Sequence, residues 1–173
     1  MVTVLYVAVA MLIGAGFATQ VSMISAMGSL RGSFEATWIS LLATVAGFTF
    51  LMAVRAVAGD AIALPVPFRT AFVYGLIAAL AAVGLGVVVR GIAPYFAITG
   101  LFAIPLLIGA GFLGPRLGVG LYLSSVIAGQ LICSVVLDHV GAFGIPVRRV
   151  DVARMAGVAA LVLGVALVRG IKN

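Results

Sequence analysis

The sequence has 173 residues, of which 65% are hydrophobic and 8% charged, and its formal net charge is +6. Soluble domains carry about 25% charged residues, so this composition excludes a domain with a water-exposed surface. The ten basic residues stand singly or in pairs beside apolar runs, which is typical of membrane topology signals. They form no basic patch with interleaved aromatic residues, so we expect no nucleic-acid partner.

Taken in chain order, five long runs carry no charged side chain: 1–30, 36–54, 70–89, 91–115 and 117–137. Each is long enough to cross a hydrocarbon core about 30 Å thick, which takes about 20 helical residues. A sixth run, 155–168, has only 14 residues and suits a buried or an interfacial helix equally well. It spans only if Arg154 and Arg169 extend toward the lipid headgroups.

The apolar runs are continuous and do not alternate with polar residues, which predicts helices and not a β-barrel. The fold class is therefore all-α: a polytopic transmembrane helix bundle of about six spans, forming a single membrane domain over residues 1–173. The predicted spans lie near 3–27, 36–55, 70–89, 93–113, 119–137 and 152–169. The connections between them are too short to hold a soluble catalytic or nucleotide-binding module.

Two features of the spans leave alternatives open. Span four contains Pro105 between glycines, which predicts a kink; the kink is either a bend filled by a neighbouring helix or a hinge that helps to bind a solute. The pentapeptide IGAGF occurs at 13–17 and 108–112, either as the trace of an inverted repeat or by chance in a glycine-rich chain. Basic residues divide five against five between the two sides of a six-span layout, so the orientation stays open.

Polar side chains inside the spans are costly and therefore informative. Gln20 and Gln130 are the two side-chain amides within the spans, and Ser134 shares a helical face with Gln130. They either bond neighbouring helices, which is worth about 0.6 kcal/mol on average, or recognise a neutral or zwitterionic solute, because an amide both donates and accepts. Trp38 and Tyr122 belong to the interfacial aromatic belt or cap a binding cavity. These five residues are the predicted substrate-binding set.

No Asp, Glu, Lys or Arg lies centrally in a span. Glu35, Asp138 and His139 flank spans and are the candidates for proton coupling, although residues in such places more often cap helix ends. The spans show no nucleophile–base pair and no HExxH motif, and Cys133 is the single cysteine. We therefore predict that the chain is not an enzyme and has no catalytic residue, metal or cofactor.

Four stretches together resemble one family: GFATQ (16–20), FLGPRLGVG (112–120), AGQL (128–131) and DHVGAFGIPVRR (138–149). They are similar to the YdcZ family (DUF606) of small bacterial inner-membrane proteins, within the drug/metabolite transporter superfamily. The family pattern is typically five-spanning and places Asn after the first-span Gln, whereas this chain carries an additional apolar run at 70–89 and reads SMISA at 22–26.

The resemblance implies a multi-pass protein of the bacterial cytoplasmic (inner) membrane that exports a small metabolite or drug-like solute. It also implies a homodimer, or a heterodimer with a paralogous partner. The alternative function is a non-catalytic membrane scaffold or accessory subunit of a larger membrane complex, in which the polar residues serve only assembly.

Overall fold

The computed structural model describes residues 2–60 and 62–170, and these residues form helices, turns and loops without a strand. The six α-helices are α1 (Val2–Arg31), α2 (Ser33–Val57), α3 (Ala71–Val88), α4 (Ala103–Leu117), α5 (Val119–Val140) and α6 (Val152–Arg169). A 3-10 segment, Pro94–Phe102, leads directly into α4, and a short 3-10 turn, Ala142–Gly144, follows α5. The prediction of an all-α polytopic bundle is confirmed.

Five of these helical stretches are long and apolar enough to cross a membrane: α1, α2, α3, the 3-10 segment together with α4, and α5. Large apolar side chains cover their outer surfaces, as Leu12, Phe34 and Phe72 show at 72%, 88% and 77% exposure. The prediction that 70–89 forms a helix of spanning length and composition is confirmed by α3. The apolar part of α6, Val152–Val168, is roughly 26 Å long at 1.5 Å per residue, so its crossing of the bilayer stays a prediction.

Two pairs of helices are joined by a single glycine. Gly32 connects α1 to α2 with φ +101°, and Gly118 connects α4 to α5 with φ +82°, values that only glycine adopts at little cost. Each donates its N–H to a glycine four residues earlier, Gly28 or Gly114, at 3.0 and 2.9 Å. Because these joints take only one residue, α1 and α4 run four residues past their predicted ends at 27 and 113.

Span four differs from the predicted continuous helix with a kink in its middle. Its first nine residues are 3-10 helix, and the change to α-helix comes at Ala103, two residues before Pro105. Pro105 therefore lies in the first turn of α4, where its missing N–H costs little. A second proline, Pro115, is accommodated inside α4 two residues before the helix ends.

The contacts within the chain divide it into two compact units. The first unit comprises the residues up to Ala26 together with those from Pro105 onward, and the second unit comprises Met27–Ile104. The prediction of a single membrane domain stays a prediction.

In the second unit, α2 packs against α3 and against the 3-10 segment. A Cβ atom added at Gly100 would overlap the Ser40 carbonyl oxygen, so the 3-10 segment lies against the backbone of α2. Thr44 Oγ1 lies 2.9 Å from the carbonyl oxygens of both Ser40 and Gly100 and can donate to either. The absence of a side chain at Gly100 thus allows one hydroxyl to link the two elements.

Candidate solute-binding site

In the first unit, α1 and α5 meet at backbone contact through two glycines. A Cβ atom added at Gly14 would overlap the carbonyl oxygen of Val126, and one added at Gly129 would overlap that of Met11. In lipid, helices associate by close packing, and small residues permit the closest approach. We call this region, centred on Gly14 and Gly129, the α1–α5 contact.

Gln20 and Gln130 belong to the two helices that form the α1–α5 contact. The backbone nitrogen of Gln130 is 2.9 Å from the position that a Cβ of Gly14 would take. Gln20 follows Thr19, whose Oγ1 lies 4.0 Å from Cys133 Sγ on α5. Gln20 is 6% exposed and Gln130 is half-buried. Six residues, about 9 Å along the helix axis, separate Gly14 from Gln20. A shared site for the two amides stays a prediction.

Tyr122 is fixed in the packing beside this region. It is 3% exposed, and its hydroxyl donates to the Leu106 carbonyl at 2.8 Å. The equivalent glycines of the two IGAGF copies both pack on α5: Gly14 meets Val126, and a Cβ at Gly109 would lie 3.1 Å from Tyr122 Oη. The Tyr122 hydroxyl is therefore already engaged by the backbone. Contact between Tyr122 and a solute stays a prediction.

The serine hydroxyl groups of α5 donate to carbonyls of their own helix. Ser134 Oγ donates to the Leu131 carbonyl at 3.0 Å, and Ser125 Oγ donates to the Leu121 carbonyl at 2.7 Å. Ser134 is half-buried on the same helical face as Gln130. Its oxygen keeps lone pairs, so Ser134 can still accept a hydrogen bond beside the amide.

Trp38 and Glu35 lie in the second unit, whereas Gln20, Gln130, Ser134 and Tyr122 lie in the first. Trp38 and Glu35 line a cavity of about 280 Å³ together with Arg31, Phe34, Ile39 and Val88. Trp38 is 56% exposed, and Glu35 is exposed in the first turn of α2. The structure therefore brings these two predicted residues together beside a basic side chain.

Asp138 and His139 lie at the end of α5, where they hold the following loop. Asp138 Oδ2 is 3.5 Å from Arg154 Nη1 in the first turn of α6, and the Asp138 carbonyl accepts from the Arg148 N–H at 2.8 Å. His139 Nδ1 accepts from the Val150 N–H at 3.2 Å. These contacts support a structural role for both residues, and their role in proton coupling stays a prediction.

The interiors of the five candidate spans carry no charge. Every charged side chain in them lies within three residues of a helix end: Arg31, Glu35, Arg55, Arg116 and Asp138. Within residues 2–60 and 62–170, no group of three or more His, Cys, Asp or Glu side chains could hold a metal ion. The polar chemistry inside the helices is therefore that of amides and hydroxyls, which recognise partners by hydrogen bonds.

Sequence reasoning did not identify two of the residues that bring these elements together. Gly129 determines how closely α5 approaches α1, and Gly100 determines how closely the 3-10 segment approaches α2. Both stand among many glycines in apolar runs, and no local signal in the sequence distinguishes them from the lipid-facing ones.

These features define an integral membrane protein made of apolar helices that cross the bilayer several times, with hydrogen-bonding groups between them. A family model described as "Putative inner membrane exporter, YdcZ" matches residues 5–167, and the chain belongs to this family. The matched range includes α3. The protein is thus a multi-pass protein of the inner membrane, in a family whose description is that of a transporter and not of an enzyme. Comparison with curated proteins and with solved structures finds no match.

Proposed function

We propose that the chain exports a small neutral or zwitterionic polar solute, which Gln20 and Gln130 recognise at the α1–α5 contact. The observation that supports this proposal is that α1 and α5, which pack against each other, each carry one side-chain amide, one buried and one half-buried. An amide both donates and accepts hydrogen bonds, which suits a solute with hydroxyl, amide or amino acid-like groups. Ser134 adds an acceptor on the same face of α5.

The distribution of charge in the helices limits the class of solute. A charged group in the hydrocarbon region is costly and needs an opposite charge or a water-filled path. The charged side chains of the candidate spans are confined to helix ends, so the helix interiors offer no counter-ion to an ionic solute. A neutral solute, or one whose charges cancel, needs none.

The remaining predicted residues take supporting roles in this proposal. Tyr122 is proposed to cap the solute path in the first unit, Trp38 is proposed to bind solute at its own cavity in the second unit, and the exporter is proposed to work as a homodimer or with a paralogous partner. Among the coupling candidates, Glu35 is the one that the geometry supports best, because it lines a cavity with Trp38. Asp138 and His139 hold the loop after α5.

The test is solute flux in proteoliposomes, with a panel of neutral, zwitterionic, anionic and cationic metabolites and with or without a pH gradient. We expect saturable flux of at least one neutral or zwitterionic member, and we expect it to persist in Thr49→Val. Thr49 bonds the Val45 carbonyl of its own helix α2 at 2.6 Å, so this variant controls for the loss of a polar group away from the α1–α5 contact. Flux confined to ionic members would contradict the proposed solute class.

A membrane scaffold or accessory subunit is the second candidate. It is favoured by the hydroxyls of Tyr122, Ser125 and Ser134, which all donate to backbone carbonyls and so already serve the helix bundle. A scaffold would retain a stoichiometric membrane partner during gentle purification and would show no flux for any member of the panel.

A further inference from the structure

In the second unit, a cavity of about 460 Å³ opens where α3 ends and the 3-10 segment begins. This volume lies within the range of about 300–1,000 Å³ that is typical of small-molecule sites. Its wall is mostly apolar, with Leu85, Val89 and Ile92 among the lining residues, and the charged side chain on it is Arg90. The cavity therefore combines an apolar wall with one cation.

The guanidinium of Arg90 is available to a ligand. Within residues 2–60 and 62–170, it donates no hydrogen bond and forms no ion pair. The negative end of the α3 dipole is covered by a different arginine, because the Arg31 guanidinium donates to the carbonyls of Val88 and Arg90. The acidic side chain in this neighbourhood, Glu35, lines the separate cavity that contains Arg31.

The position of Arg90 along the chain places its charge at the level of the lipid headgroups. Arg90 comes two residues after the end of α3, a candidate span. Leu85 lies five residues earlier, roughly 8 Å deeper along the helix axis. In a bilayer that α3 crosses, this arrangement would put the cation at the level of the phosphates and the apolar wall in the hydrocarbon core.

We propose that this cavity binds an anionic phospholipid, with its phosphate on the Arg90 guanidinium and an acyl chain along Leu85 and Ile92. A guanidinium pairs with phosphate oxygens through two parallel hydrogen bonds, and a basic residue near the surface attracts anionic lipid. A soluble phosphate would engage Arg90 but would leave the apolar wall uncovered.

The experiment measures lipid occupancy by native mass spectrometry of the full chain in mild detergent. Phosphatidylglycerol and phosphatidylcholine with identical acyl chains are titrated separately. We expect the wild type to prefer phosphatidylglycerol, and Arg90→Gln to lower that preference about fivefold, the effect of one basic residue near a membrane surface. Arg69→Gln is the matched control, because Arg69 precedes α3 at its other end and donates to the Leu64 carbonyl; it should keep the preference.

A second pair of variants tests the apolar wall. A Cβ added at Gly86 or at Gly75 meets no atom within 4 Å, and both glycines are in α3, but only Gly86 lines the cavity. We expect Gly86→Leu to fill the cavity and reduce phosphatidylglycerol binding, and Gly75→Leu to bind like the wild type.

Three results would overturn the proposal. The first is equal binding of the two lipids by the wild type, and the second is an equal loss of preference in Arg69→Gln and Arg90→Gln. The third is displacement of phosphatidylglycerol by glycerol phosphate at matching concentrations, which would assign Arg90 to a soluble phosphate.

Discussion

At the scale of single residues, Gln130 distinguishes transport from assembly. If it only bonds a neighbouring helix, Gln130→Leu costs about 0.6 kcal/mol of stability. If it recognises the solute, the variant leaves a polar group of the solute unpaired, which costs about 1–3 kcal/mol, or roughly tenfold to a hundredfold in affinity. We expect the second outcome, measured as solute binding beside thermal stability.

Gln20→Leu and the double variant complete this test. If both amides bind the same solute, as proposed, their effects on solute binding should be less than additive. Normal folding with unchanged solute binding in Gln130→Leu would remove this residue from the site. The absence of any flux would then favour the scaffold function.

Gly129 tests the α1–α5 contact itself. Replacing a helix-interior glycine by alanine usually stabilises by about 0.5–1 kcal/mol, but an added Cβ here would overlap the Met11 carbonyl oxygen. Overpacking costs about 1–3 kcal/mol, so we expect Gly129→Ala to lower the free energy of unfolding. Gly120→Ala is the control, since its Cβ meets no atom within 4 Å in the same helix. A Gly129→Ala protein as stable as the control would contradict the described contact.

At the scale of elements, α3 tests the assignment of a membrane span. Leu80 lies near the middle of α3 and is 65% exposed, whereas Leu64 lies in the preceding loop and is 44% exposed. In a Cys133→Ala background and in vesicles opened so that the reagent reaches both faces, we expect Leu80→Cys to resist a membrane-impermeant maleimide because it faces lipid, and Leu64→Cys to react. Reaction of both cysteines to the same extent in the opened vesicles would show that α3 does not cross the bilayer.

The positions of the helices could be predicted from the sequence, because a charge-free run of about 20 residues has few alternatives in a bilayer. The type of each helix and the residues at which it ends could not be predicted from the sequence. The 3-10 and α-helical parts of span four are both apolar, so hydropathy does not distinguish them, and the ends of α1 and α4 depend on the one-residue joints at Gly32 and Gly118.

The candidate site could be predicted only in part. Gln20 and Gln130 could be selected from composition, since amides are rare inside spans. The packing of α1 on α5, which carry them, joins residues more than 100 positions apart in the chain and could not be predicted. The same reasoning could not tell that the Tyr122 hydroxyl donates to the Leu106 carbonyl, because that contact follows from how α5 packs on α4.

At the scale of the whole molecule, the chain carries two similar helix pairs. The stretch GSLRG ends at the joint between α1 and α2, and the similar stretch GPRLG ends at the joint between α4 and α5. Each joint is a single glycine with positive φ. Within the first unit, α1 and α4 run in opposite directions, because Tyr6 meets Phe112 and Ile13 meets Gly109. Together with the two IGAGF copies, these joints favour an inverted repeat over chance.

The small size of the helix bundle predicts its oligomeric state. A chain with five helices of spanning length and one shorter apolar helix is small for enclosing a solute on all sides, so we expect a dimer. Subunit counting in nanodiscs at low protein density should give two copies, with a tandem fusion of two chains as the size standard.

A functional measurement complements the count. If two copies form one solute path, co-reconstitution of equal amounts of wild type and an inactive Gln130→Leu protein should leave roughly a quarter of the flux, whereas independent copies would leave roughly half. This expectation requires that the two proteins pair at random. Labelling the two chains differently and measuring the fraction of mixed dimers checks the pairing directly. Single copies in nanodiscs, with flux that falls in proportion to the wild-type fraction, would show that one chain suffices.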